Sequence, residues 1–333
     1  MVKAWPIVLA AVSAMLLAGG VTGAKPAPVR IGVVLKDLDN PFFVAMYEGV
    51  RAEAGRRGAH TSVRAAKSET DLQGQAARLR ALVAAKAGCY VVNPISRTNL
   101  IPPLRGVRRP IVNIDSPVDL AAARRAAVHI NSFIGTNDVT AGTLAGSKMA
   151  SLLGRRGTVA LLGGTAGSIN SIHRLTGFMH GIQGTNIKVV AQVNAGYVRT
   201  TAEVAARRIL RTHPHLSGFY AANDLMALGI ADAVRSLSKP EPVKIIGVDG
   251  IAEALDAVRS GSLSATVSQY PYVMGRMAVE ACVAAVRGAR LPANVDSPVA
   301  LVSKSNVARA TASFPRPFRS YSDPFASILR RRR

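Results

Sequence analysis

The sequence predicts an α/β protein of two similar lobes, each a parallel sheet with helices on both faces. Three observations carry this. Short runs rich in Val and Ile alternate with longer segments whose apolar residues recur at helical spacing. The alternation runs through one series, breaks, and begins again. Several strand candidates, such as Val33-Val34-Leu35, are apolar throughout, as strands covered on both faces are. A chain of 333 residues has room for two lobes of ordinary size.

The first series opens at residues 31–43, IGVVLKDLDNPFF. Asp37, Asp39 and Asn40 end the strand, and Asn40 before Pro41 is a good helix N-cap. The helix carries Phe42, Met46, Val50 and Ala54 on one face and stops at Gly58. Residues 60–66 read as a second strand, and 71–85 as a helix with Leu72, Ala76, Leu79, Leu82 and Val83 on one face. Residues 88–93 are a third strand stopped by Pro94, 100–105 a short helix, and 110–114 a fourth strand ending at Asp115. The Ala- and Arg-rich stretch 117–129 reads as a surface loop. The second series follows: helix 141–153, strand 158–162 stopped by Gly163-Gly164, helix 171–183, strand 187–193, helix 201–212, strand 218–221, helix 225–237, strand 243–248, helix 251–260, strand 265–269 and a long helix 272–287. Beyond Arg309 periodicity is lost and prolines and arginines accumulate. Residues 310–333 are therefore expected to be a basic, disordered tail.

The first residues set the compartment. Lys3, the apolar run 7–17 and the small residues Thr22, Gly23 and Ala24 make residues 1–24 a signal peptide, too short to span a bilayer. No Cys stands near the cleavage site for a lipid anchor, so a soluble, periplasmic protein is expected. The net charge of +23 sits partly at the C-terminus and otherwise singly on helix faces. Aromatic residues are only 5%, too few to interleave with it as a nucleic-acid groove requires. Cys89 and Cys282 are read as two buried small hydrophobes, with a disulfide open but not deducible from sequence. No CxxC, HExxH or His cluster calls for a metal.

The chemistry lies after the strands. Asp115, Asn223, Asp249 and Gln269 each follow one, and Asn40 precedes the first long helix. Carboxylates and carboxamides engage two hydrogen bonds at once, which suits the adjacent hydroxyls of a polyhydroxylated ligand. Phe42, Phe43 and Tyr197 offer apolar walls for a sugar ring. In α/β sheets small ligands sit outside the carboxyl ends of strands.

Six motifs in order, DNPFF at 39–43, NP at 93–94, IDS at 114–116, ANDLMALG at 222–229, IIGVDG at 245–250 and ATVSQYP at 265–271, resemble the ribose-binding branch of periplasmic sugar-binding proteins. The resemblance spans roughly residues 29–308. It implies two Rossmann-like lobes joined by a three-segment hinge that closes on ligand. The crossings would fall near 132–136, Gln269 and 295–297. The first lobe would be 29–133 plus 270–296, and the second 134–269 plus 297–309. It implies ligand contacts at Asn40, Phe42, Phe43, Asp115, Asn223, Asp249 and Gln269, with Tyr197 where an aromatic ring belongs. Two positions depart from it. Ser116 stands where a ribose binder has Arg, and a second pocket Arg is expected at Ile172, two residues before Arg174. Lys36 is similar to the arrangement in arabinose-binding proteins. It would pair Asp115 or Asp249, or else snorkel to solvent.

The expected function is the solute-binding component of an ABC importer. It would capture a monosaccharide, sugar alcohol or cyclitol and present it to a membrane permease, as a monomer with no cofactor and no nucleic acid. No enzyme is expected, because His129, His173, His180, His213 and His215 have no evident catalytic partner. The alternatives are the effector-binding core of a lac-repressor-type regulator, or a sugar sensor read by a chemoreceptor or sensor kinase.

Overall fold

The computed structural model describes residues 1–2, 27–237 and 242–331. From residue 3 on, the expected signal peptide lies outside the described residues. The first series builds β1 (Arg30–Leu35), α1 (Pro41–Arg57), β2 (His60–Ala65), α2 (Leu72–Ala84), β3 (Cys89–Val92), α3 (Ile101–Leu104), β4 (Ile111–Ile114), α4 (Leu120–Arg125) and β5 (Ser132–Gly135). The second builds α5 (Asp138–Leu152), β6 (Arg156–Gly163), α6 (Ile169–Gly181), β7 (Asn186–Asn194), α7 (Arg199–Thr212), β8 (Gly218–Ala221), α8 (Asp224–Ser236), β9 (Lys244–Asp249), α9 (Ala252–Ser260) and β10 (Ala265–Ser268). Then come α10 (Pro271–Val286), β11 (Asn294–Asp296), β12 (Ala300–Ser303), α11 (Val307–Ser313) and α12 (Pro324–Arg330).

The strands form two six-stranded sheets, ordered β11-β5-β4-β3-β1-β2 and β12-β10-β9-β8-β6-β7. Every pairing is parallel except β10 with β12. In each sheet the first strand of its series lies between the second and the third. The order reverses there, which opens a crevice at the strands' carboxyl ends. The chain passes between sheets after β5, after β10 and after β11.

After β10 the chain returns as α10 to pack on α1 and on β3, β4 and β5 of the first sheet. The approach is close: a Cβ on Gly49 would run into the Tyr272 carbonyl, and one on Gly275 into the Met46 carbonyl. Cys89 of β3 and Cys282 of α10 form a disulfide, Cα–Cα 5.6 Å, in place of the expected pair of separate thiols. Both are core residues, as read from the sequence, but the return of α10 lays one against the other. A link between residues 193 apart restricts the unfolded chain and stabilises the fold by roughly 2–4 kcal/mol.

Two further expectations fail. Residues 117–129 are not loop throughout. Asp119 accepts from the Ala122 N–H at 2.8 Å and starts α4, whose Ala123 is buried between Val118 and Val128 in sequence, both buried too. Residues 310–331 are not a disordered tail. Asp323 caps α12 with Pro324 at its first position, and Phe325 and Leu329, one turn apart, bury against α10. One apolar turn was too short a pattern to read as periodic.

Candidate functional site

The first lobe's wall is built at the ends of β1 and β4. Beyond β1 the Asp37 carboxylate accepts from the Asn40 N–H at 2.9 Å and folds the chain toward α1. Asn40 caps α1, accepting from the Phe42 N–H at 3.0 Å, and its amide donates to Glu69 at 3.1 Å. Phe42 and Phe43 stand edge to face, ring centroids 5.3 Å apart, as the apolar floor. Lys36 does not snorkel to solvent. Its buried ammonium lies 3.1 Å from Asp115, donates to Ser116 Oγ at 2.7 Å and sits 5.3 Å from the Phe43 ring centroid. Burial alone would lower its pKa. The charges of Asp115 and then Glu69 outweigh burial and hold Lys36 above the ordinary lysine value.

The second lobe's wall is built around Arg174 of α6. Its Nε donates to Asp138 at 2.7 Å, Nη1 to the Ala222 carbonyl at 2.7 Å and Nη2 to Gln269 Oε1 at 2.9 Å. Nη1 also lies 3.6 Å from Asp249, which accepts from Gln269 Nε2 at 2.6 Å. Burial pushes Asp249 well above the usual carboxylate range despite Arg174 beside it, and pushes Asp138 up for the same reason. Asn223 caps α8 through the Met226 N–H at 3.0 Å. The Tyr197 phenol lies 2.9 Å from Ser168 Oγ, and its ring covers Gly164, where a Cβ would collide with it. Asp115, Tyr197 and Asp249 all have positive φ, at 60°, 65° and 135°. Such strain costs of order 1–3 kcal/mol per residue and gathers where function demands a particular placement.

Between the walls lies a pocket, partly open to solvent, lined by nine of the eleven expected site residues: Lys36, Asn40, Phe42, Phe43, Asp115, Arg174, Tyr197, Asn223 and Asp249. Ser116 stands beside it, bonded to Lys36, and Gln269 behind it, bonded to both Arg174 and Asp249. Ile172, the position where the resemblance expects an arginine, is half exposed; Arg174 reaches the cavity instead. The lobes touch at the rim, where Ser116 Oγ donates to Asn170 Oδ1 at 2.9 Å and Asn170 Nδ2 donates to the Asp115 carbonyl at 3.2 Å.

Three residues of this constellation were not read from the sequence. Glu69 and Asn170 line the cavity, and Asp138 holds Arg174 from behind. Each lies in the segment after a strand, β2, β6 and β5 respectively, but beyond nearer polar residues. Burial raises Glu69 as well, against the pull of Lys36. The cavity thus offers two cationic side chains and three carboxylates as paired donors and acceptors, lined below by aromatic rings. That suits a neutral molecule with several hydroxyls. Among the described residues no group of His, Cys, Asp and Glu could hold a metal, and no helix is long and apolar enough to cross a membrane.

Residues 31–290 match the model of a family described as periplasmic binding protein domain. The D-allose-binding periplasmic protein of Escherichia coli is 32% identical over 270 residues, covering 80% of this chain and 87% of that protein. The ribose import binding protein of Bacillus subtilis is 28% identical over 274 residues, 81% of this chain and 86% of that one. Among solved structures, an ABC transporter periplasmic solute-binding protein of Actinobacillus succinogenes with bound D-allose superposes with a TM-score of 0.79 at 25% identity, covering 84% of this chain and 99% of that chain.

Proposed function

This chain belongs to the periplasmic binding protein domain family, and we propose on that premise that it is the exported solute-binding component of an ABC importer. Its cargo is a monosaccharide, sugar alcohol or cyclitol, held between the lobes and handed to a membrane permease. The observation that carries this is the meeting of two charge pairs, Lys36–Asp115 from one lobe and Arg174–Asp249 from the other, on one cavity floored by Phe42 and Phe43. Neither lobe supplies both pairs, so full coordination requires closure. Micromolar binding takes about 8 kcal/mol. A few charge-assisted hydrogen bonds of roughly 1.5–3 kcal/mol each, with burial of a ring face, supply that.

Export agrees with the disulfide, since such links persist in oxidising compartments. The relatives are themselves binding proteins, which favours import over the repressor-type alternative. Capture and release by a monomer, with no bond made or broken, is the whole of the proposed activity.

Calorimetry over D-ribose, D-allose, D-arabinose and myo-inositol tests the reading. At least one should bind at micromolar or tighter dissociation constant. Asp249→Ala and Asn223→Ala should each weaken that binding severely while circular dichroism stays native. Unchanged affinity in both variants would refute the site.

A further inference from the structure

The chain after β12 does not end on one lobe. Helix α11 lies on α9 and β12 of the second lobe. Helix α12 lies on α10 of the first lobe, with Phe325 and Leu329 fully buried and Asp323 paired to Arg276. The segment between them crosses the hinge. Phe318 stands 6.5 Å, centroid to centroid, from the ring of Tyr270, which follows Gln269 at the second crossing and has φ 55°. Two guanidinium groups flank Phe318: Arg309 of α11 at 5.1 Å and Arg319 at 5.7 Å from its ring centroid. Arg316 lies 5.8 Å from the ring centroid of Tyr272.

This segment also reaches the back of the ligand cavity. Phe314, Pro315 and Arg316 line a mostly apolar pocket together with Phe42, Asp249 and Tyr270. Phe42 and Asp249 line the ligand cavity on their other side. They are the partition between the two. The contacts are made while the lobes touch at Ser116 and Asn170. Rotation about the crossing at 269–270 would carry Tyr270 past Phe318 and disturb the contacts that link the segment to the second lobe, such as Arg309 over Phe318.

We propose that residues 307–331 form a strap, a fourth connection between the lobes, that braces the hinge in the closed arrangement and lengthens the residence of a bound ligand. The residues of the strap are positioning residues: they act through Tyr270, Phe42 and Asp249. The residence-time readout rests on the sugar-capture reading above, whereas a lobe-distance readout does not.

The test cuts the strap without removing it. A specific protease site is inserted between the exposed Arg319 and Ser320 of the full chain, and the same sample is compared before and after cleavage. Spin labels at Arg80→Cys and Lys188→Cys, both exposed and on opposite lobes, report the lobe separation. Cleavage should shift the unliganded distance distribution to longer values and broaden it. It should also raise the dissociation rate of D-allose at least about tenfold. The uncut Phe318→Ala variant should shift distances in the same direction by less. A distance distribution unchanged by cleavage, in protein still native by circular dichroism, overturns the strap. If no sugar binds at all, the capture reading fails and the distance result alone decides the strap.

Discussion

On the first-lobe wall Lys36 contacts Asp115 and Ser116, and among the described residues no protein acceptor takes its third N–H. On the second-lobe wall Arg174 places its donors on Asp138, the Ala222 carbonyl and Gln269, and leans on Asp249. Both cations are buried and both neutralise a carboxylate at the cavity. The difference lies in geometry. A rigid guanidinium fork fixed by protein at each of its three nitrogens is a frame that sets where Gln269 points. An ammonium on a flexible stem with a donor in hand is a contact that can follow the ligand. One wall of the pocket is therefore preassembled and the other adapts.

The sharpest way to break this contrast is Arg174→Met. It strands Asp138, which does not line the cavity, in the interior, so a loss of about 3–5 kcal/mol of stability is expected, together with loss of sugar binding. Chemical denaturation and calorimetry measure the two. Lys36→Met should behave differently. Asp115 faces the cavity and regains water, so the stability cost is smaller, while affinity falls roughly 10- to 100-fold with the lost charge-assisted bond. Equal stability losses in the two variants would end the distinction between frame and contact.

The smallest expected effect is a pH dependence at Asp224. Asp224, behind the second-lobe wall, accepts from Thr266 and from the Gly250 and Ile251 N–H groups, yet burial raises it to about 6. A carboxyl raised in the folded state favours folding fully below its unfolded pKa near 4, and that contribution is lost as pH rises through about 6. The stability of the native chain relative to Asp224→Asn should thus decline between pH 4 and pH 7. Parallel curves for the two proteins would show that Asp224 carries no such term.

How much of this was readable beforehand follows from the range of each interaction. The strand Val33-Val34-Leu35 and its counterparts announced a parallel sheet because covered strands must be apolar on both faces. Asp115 and Asp249 announced the crevice because each stands where a strand stops. Glu69, Asn170 and Asp138 follow the same logic, but their loops put other polar residues nearer the strand. The partner of Lys36 stayed undecided between two carboxylates, because the choice depends on how the lobes meet. Cys89 and Cys282 were both readable as buried, yet their pairing depends on α10 crossing back to β3, which no local pattern encodes. In α12 the apolar signal is a single turn, Phe325, Ile328 and Leu329, and what makes it fold is the face of α10 it covers.

The central claim is that side chains from both lobes replace the water around one many-hydroxyl guest. A crystal structure of the protein grown with D-allose tests it most directly. The account predicts electron density for the sugar over Phe42 and Phe43, with hydroxyls within hydrogen-bond distance of Lys36 or Asp115 on one side and of Asp249 or Asn223 on the other. A sugar held by one lobe alone, or lying outside this cavity, would contradict it.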